Sequence, residues 1–87
     1  SEWTQIAIFD LLVDYAADLV DPEAAQSIAE RVLPRLAHAN HAVVIGAVKV
    51  LVAVKGTARR DFWRQRGIDR RIAAALSTTI STSSSEM

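Results

Sequence analysis

An all-α chain, folded as repeated helical hairpins, is what this sequence predicts, and three observations carry the prediction. Apolar residues recur at helical spacing along four stretches of the chain. Glycine and proline number only three and two in 87 residues, too few for an all-β chain with many tight turns. The apolar pattern also recurs after about 40 residues, the length of one helical hairpin in repeat proteins.

The first helix is expected from about Trp3 to Ala17. Trp3, Ile6, Phe9, Val13 and Ala16 recur at spacings of three and four, and Leu12, Tyr15 and Leu19 widen the stripe. Asp10, Asp14 and Asp18 follow one another every four residues and form its solvated face. The pair Asp21-Pro22 opens the second helix. An Asp carboxylate accepts from an orphan amide of the first turn, and proline at the first helical position lacks the donor that would go unpaired. This helix should cover about Pro22 to Ala37, with Ala25, Ile28, Ala29, Val32, Leu33 and Leu36 as its apolar face. Pro34 removes an interior hydrogen bond and clashes with the carbonyl of Glu30, so a kink or an early end is expected there. A short turn, His38-Ala39-Asn40, follows.

The third helix, about His41 to Lys55, is the ambiguous one, because Val43, Val44, Ile45, Val48, Val50, Val52 and Val54 are all β-branched. Length decides for a helix: strands run roughly 4–8 residues, and this nearly apolar run of 13, Ala42–Val54, also contains three alanines. A helix apolar nearly all round belongs between neighbours. Gly56 suits its C-terminal cap. The fourth helix, about Arg60 to Thr79, is amphipathic but broken by Gly67, with Phe62, Trp63, Ile68, Ile72, Ala75 and Leu76 on its apolar side. Ser77 to Ser85 is nearly all Ser and Thr and reads as a loop or frayed tail.

Composition excludes several classes of function. With no cysteine there is no disulfide framework, thiolate zinc site, iron–sulfur ligation or cysteine nucleophile. The 13-residue apolar run is too short to span a bilayer, which takes roughly 20, and the N-terminal residues lack the basic start of a signal peptide. The formal net charge of zero hides a polarity. Residues 1–30 hold seven acids and no base, whereas residues 31–87 hold ten bases and three acids, so the halves carry −7 and +7. Attraction between packed helices would use this asymmetry internally; an anionic partner would use it externally.

No arrangement of residues supplies catalysis. His38 and His41, the only histidines, flank a turn whose other residues offer no further metal ligands, so capping or turn roles are expected of them. Asp10, Asp14 and Asp18 point outward side by side. The tail serines lack both a G-x-S-x-G context and a neighbouring His. Gly46, Gly56 and Gly67 are isolated, which leaves no phosphate-cradling loop. No cofactor and no metal are expected. The one charged constellation is Arg59, Arg60, Arg64, Arg66, Arg70 and Arg71, interleaved with Phe62 and Trp63. Such a run can be the solvated face of a scaffold helix, a contact for an anionic membrane, a subunit contact or a nucleic-acid patch. The spacing of Arg60, Arg64 and Arg71 favours the solvated face. Trp3, Phe9, Phe62 and Trp63 are expected in the core or between repeats, and Lys49 should snorkel outward or pair with an acid of the first helix.

Shifting the chain by 39 places Ile6 on Ile45, Phe9 on Val48, Leu12 on Leu51 and Val13 on Val52. Shifting it by 40 places Arg31 on Arg71, Val32 on Ile72 and Leu36 on Leu76. A hairpin repeating at that period is the signature of HEAT and armadillo α-solenoids. Two such hairpins are expected, about residues 3–37 and 41–79, within a solenoid segment over residues 1–80. Residues 81–87 would form a Ser-rich tail or inter-repeat loop.

Three stretches, Glu2 to Ile6, Glu23 to Val32 and Pro34 to Leu51, go further. They resemble the trunk of the beta-adaptins, the large beta subunits of clathrin-associated adaptor complexes. The family pattern there is E-W-G-Q-I, then E-A-Q-S-I-C-E-R-V-x-P-R-L-S-H-A-N-x-A-V-V-L-x-A-V-K-V-L. Thr4 stands where the family has Gly and Ala29 where it has Cys, and residues 55–69 do not follow the pattern. The resemblance implies a non-enzymatic scaffold of vesicle coats, cytoplasmic and peripheral on Golgi, endosomal or plasma-membrane coats. Its implied partners are a second large subunit, a medium and a small subunit. Clathrin would be bound only through a hinge motif absent from this sequence, the membrane indirectly, and nucleic acid not at all. Two other readings stand beside it: a HEAT scaffold outside vesicle coats, and a small helical module binding anionic membrane through Arg59–Arg71.

Overall fold

The longest apolar run folds as a helix, and the rest of the chain is arranged to cover it. The computed structural model describes residues 1–85, and the side chains of residues 1–81. Helices α1 (Glu2–Ala17) and α2 (Pro22–Val32) are followed by a 3-10 turn (Leu33–Ala37), and then by α3 (His41–Lys55), α4 (Arg60–Gln65) and α5 (Ile68–Ser85). No strand occurs among the described residues.

Local chemistry starts each of the first three helices. The Ser1 hydroxyl accepts from the Thr4 amide. Asp21 Oδ1 accepts from the Glu23 amide at 3.0 Å, with Pro22 in the first helical position. Asn40 Oδ1 takes the amides of Ala42 and Val43 at 2.8 and 3.3 Å. Pro34 acts as expected, ending α2 at Val32 and tightening the chain into the 3-10 turn. Gly56 does sit at the C-cap of α3, but in right-handed conformation (φ −69°) rather than as a left-handed cap.

α3 buries Val43, Val44, Ala47, Val48, Val50, Leu51 and Val54. It packs most extensively on α1, and also on α2, the 3-10 turn and α5. One stripe is left uncovered, contrary to the expectation of burial all round: Ile45 and Val52 are 40% and 59% exposed, with Lys49 between them in solvent and in no ion pair among the described residues. Two hydrogen bonds fix α1 against α3. Asn40 Nδ2 donates to Glu2 Oε2 at the start of both helices. Thr57 Oγ1 donates to the Leu19 carbonyl at 3.1 Å just past their ends. Start meets start and end meets end, so the two helices run parallel, offset by 38 residues. Their close approach depends on Gly46: a Cβ there would stand 2.7 Å from Cδ2 of the buried Phe9 ring.

Three further expectations are corrected. Trp3, expected to pack with Phe9, is 82% exposed: six residues set it about 120° around α1 from Phe9, on the face of the solvated Asp10 and Asp14. The fourth helix is two helices: Gly67 adopts φ +58°, in the left-handed region, and turns the chain between α4 and α5. The Ser/Thr run expected to be a loop or tail remains helical to Ser85. Thr78 Oγ1 satisfies itself on the Ala74 carbonyl at 3.1 Å, and Thr79 is buried toward the 3-10 turn, so the hydroxyls do not unwind the backbone. Residues 86 and 87 of that expected tail lie outside the described residues.

At the α3–α4–α5 corner, Asp69 Oδ1 accepts from the buried Trp63 indole Nε1–H at 2.8 Å and from Lys55 Nζ at 3.0 Å. These bonds, the indole first, hold the Asp69 carboxyl below its ordinary value of 3.8. A carboxyl depressed by folding contributes stability above its unfolded pKa and loses it as pH falls through the folded value.

Three predictions follow from these contacts. Gly46→Ala should gain about 1 kcal/mol of helix propensity but incur about 1–3 kcal/mol of overpacking against Phe9. A net loss in chemical denaturation is expected, partly relieved when Phe9→Leu is added, as a double-mutant cycle would reveal. Gly67→Ala meets open space, so only backbone strain of about 1–2 kcal/mol should appear. Asp69→Asn should flatten the stability–pH profile below the ordinary carboxyl value and leave its slope near neutrality unchanged, as urea unfolding at a series of pH values would show.

Candidate interaction site

The arginine run does not form one surface. Arg59 precedes α4 and reaches back to Glu23 on α2 at 3.7 Å, with both side chains largely exposed, a contact of little energetic weight. Arg66 lies over the Phe62 ring, 5.7 Å from its centroid. Arg71 lines a groove of about 530 Å³ between α5 and the 3-10 turn, beside Leu36 and His38. Arg60, Arg64 and Arg70 alone are brought together, and they share a cleft of about 500 Å³ at the α4–α5 corner. Arg60 and Arg64 are one turn apart on α4; the Gly67 turn brings Arg70 alongside them.

Lys55, from the end of α3, and Trp63 complete the cleft wall, with Nζ 5.9 Å from the indole centroid. Asp69 is the only acid in the lining, and its carboxylate is engaged by Trp63 and Lys55. The three guanidinium groups make no ion pair among the described residues. The lining therefore carries four cations against one anion, with the anion already matched by Lys55. Chemically the cleft can hold an anion through planar N–H forks.

A second concavity was not signalled by the charge run. Between α1 and α2 lies a groove of about 580 Å³, lined by Ile8, Leu12, Tyr15 and Ile28, with Arg31 and Arg35 among its polar residues. Gln5 also lines it, and its buried Oε1 has no hydrogen-bond partner. Ile8, Leu11 and Tyr15 are 47%, 69% and 57% exposed. Their spacing of three and four marks a second apolar stripe on the first helix, and that surplus was the sequence signal for this groove.

The remaining candidates keep structural roles. His38 Nδ1 accepts the Asn40 amide at 3.0 Å inside the turn. Asp10, Asp14 and Asp18 are solvated, and no group of three potential metal ligands occurs among the described residues. No helix among them is long and apolar enough to cross a membrane.

Comparison with known proteins now adds identity. A family model described as Cnd1, non-SMC mitotic condensation complex subunit 1, matches residues 1–53. AP-1 complex subunit beta-1 of Mus musculus is 43% identical over 81 residues, 93% of this chain and 8% of its own length. AP-2 complex subunit beta of Schizosaccharomyces pombe is 44% identical over 61 residues, 70% of this chain and 9% of its own length. AP-1 complex subunit beta of Dictyostelium discoideum is 48% identical over 52 residues, 60% of this chain and 5% of its own length. The chain thus spans less than a tenth of each of these relatives. The mouse match covers too much of the chain to omit residues 55–69, where the sequence pattern broke off. The chain belongs to the family that the Cnd1 model describes and, by identity along nearly its whole length, to the beta-adaptins, the beta subunits of adaptor complexes.

Proposed function

We propose that this chain is a non-enzymatic scaffold segment of a vesicle-coat adaptor complex in intracellular protein transport. The observation that carries the reading is the 43% identity with an AP-1 beta subunit over 93% of the chain. In this reading the segment is two hairpins of a HEAT-like α-solenoid: α1 with α2 and the 3-10 turn, then α3 with α5. The parallel packing of α1 on α3, near the sequence period, supports it, because stacked repeats set equivalent helices side by side. So do the uncovered apolar stripes, Ile8–Leu11–Tyr15 on α1 and Ile45–Val52 on α3, which neighbouring repeats would bury. The partners are a second large, a medium and a small subunit. The complex works on the cytosolic face of Golgi, endosomal or plasma membranes, and clathrin is engaged by other regions.

A second reading, a HEAT scaffold outside vesicle coats, is favoured by one observation, the match of residues 1–53 to a condensation-complex family model. The reading as a membrane-binding module through Arg59–Arg71 loses support, because those side chains divide among four surroundings. Affinity purification of the full-length polypeptide carrying this chain, with mass spectrometry of what accompanies it, tests the proposal. A second large, a medium and a small adaptor subunit are expected in comparable amounts. Recovery of a mitotic condensation complex in their place would overturn the coat reading in favour of the second.

A further inference from the structure

The cleft at the α4–α5 corner has a property that scaffolding does not use: three arginines line one concavity whose one acidic residue, Asp69, is already bonded to Lys55 and Trp63. Arg60, Arg64 and Arg70 line it together with Lys55, Trp63 and Asp69. Asp69 is occupied by the Trp63 indole N–H and by Lys55, so it cannot also serve the arginines at full strength. The same bonds brace the wall, since Trp63 is buried and ties α4 to the first turn of α5. The uncovered apolar stripes lie on α1 and α3, whereas this cleft is built from the end of α3, from α4 and from the start of α5. None of the residues of those stripes lines the cleft.

We propose that this cleft binds a phosphate monoester carried on a protein segment, such as a phosphoserine, through Arg60, Arg64 and Arg70. A phosphate monoester carries close to two charges at neutral pH and three acceptor oxygens, which suits guanidinium forks approaching from more than one side. A membrane surface is the poorer partner, because a plane of headgroups calls for cations on one plane. Here Arg59 turns to Glu23, Arg66 to the Phe62 ring and Arg71 to the groove beside the 3-10 turn. A cleft of about 500 Å³ has room for a single phosphorylated side chain with its flanking backbone.

The test uses the full-length polypeptide and a fluorescein-labelled probe, a glycine–alanine peptide with one central phosphoserine, read by fluorescence anisotropy at low salt. Saturable binding that weakens as salt rises is expected, with at least ten-fold weaker binding of the same peptide carrying serine. The double variant Arg60→Gln, Arg64→Gln should lower affinity at least ten-fold, while Arg59→Gln should leave it unchanged. Arg60→Lys, Arg64→Lys keeps the charge but removes the forks and should fall between. Equal affinity for the serine and phosphoserine peptides would overturn the proposal, as would equal losses from Arg59→Gln and the double variant. It would also be overturned if the probe failed to bind, and Arg60- and Arg64-dependent binding of phosphatidylcholine vesicles containing phosphatidylinositol bisphosphate would then make the cleft a membrane contact.

Discussion

The valines of α3 must be enclosed, and nearly every other feature of the chain answers that requirement. Leu51, Val43, Val50 and Val54 are fully buried. At about 1.5–3 kcal/mol each, their burial is comparable with the entire net stability of a small domain, about 5–15 kcal/mol. α1, α2, the 3-10 turn and α5 supply the cover. α1 approaches because Gly46 leaves room for the Phe9 ring. The 3-10 turn folds back on α3 because Pro34 ends α2 just where a continuing helix would lead the chain away. Leu33, at the start of that turn, is buried at 2% exposure. Ile68, the first residue of α5, is fully buried in the same core.

What the sequence made legible is what neighbouring residues decide among themselves. Asp21-Pro22, Pro34 and Asn40 each act within one helical turn, and each does in the structure what its chemistry suggests. The helical state of the valine run followed from length alone. Trp3 was a misjudgement of local geometry, since six residues set it about 120° around the helix from Phe9, on the face of Asp10 and Asp14. The other misjudged positions depend on a distant surface. Ser77–Ser85 has a loop-like composition, but Thr79 finds a buried place that no local rule could supply. Gly67 was legible as a weak point and not as a turn between two helices, because its φ is set by how α4 and α5 meet. The arginine run was legible as charge; its division among Glu23, Phe62, the corner cleft and the 3-10 groove was not, because it depends on which helix ends converge.

The charge polarity of the chain is likewise redistributed by the fold. Among the described residues, one ion pair, Arg59 with Glu23, joins the acidic and basic halves, and it is long and exposed. The other, Lys55 with Asp69, lies wholly within the basic half. The helices are therefore held by apolar contact and backbone geometry, and the opposed charges remain outward.

The two hydrogen bonds between α1 and α3 also constrain how such a chain can vary. Glu2 and Leu19 are 17 residues apart, and so are their partners Asn40 and Thr57. The spans act as two rungs of equal spacing, so an insertion or deletion inside one helix would leave one rung unmade unless the other helix changed equally. Between Leu19 and Asn40, α2 and the 3-10 turn are themselves packed on α3, so only the short loop joining Leu19 to Pro22 carries no such condition. It can lengthen at little entropic cost, about 0.6 kcal/mol for each doubling of a flexible loop. Length variation among chains of this kind should accordingly collect in that loop, with α1 and α3 changing only in step.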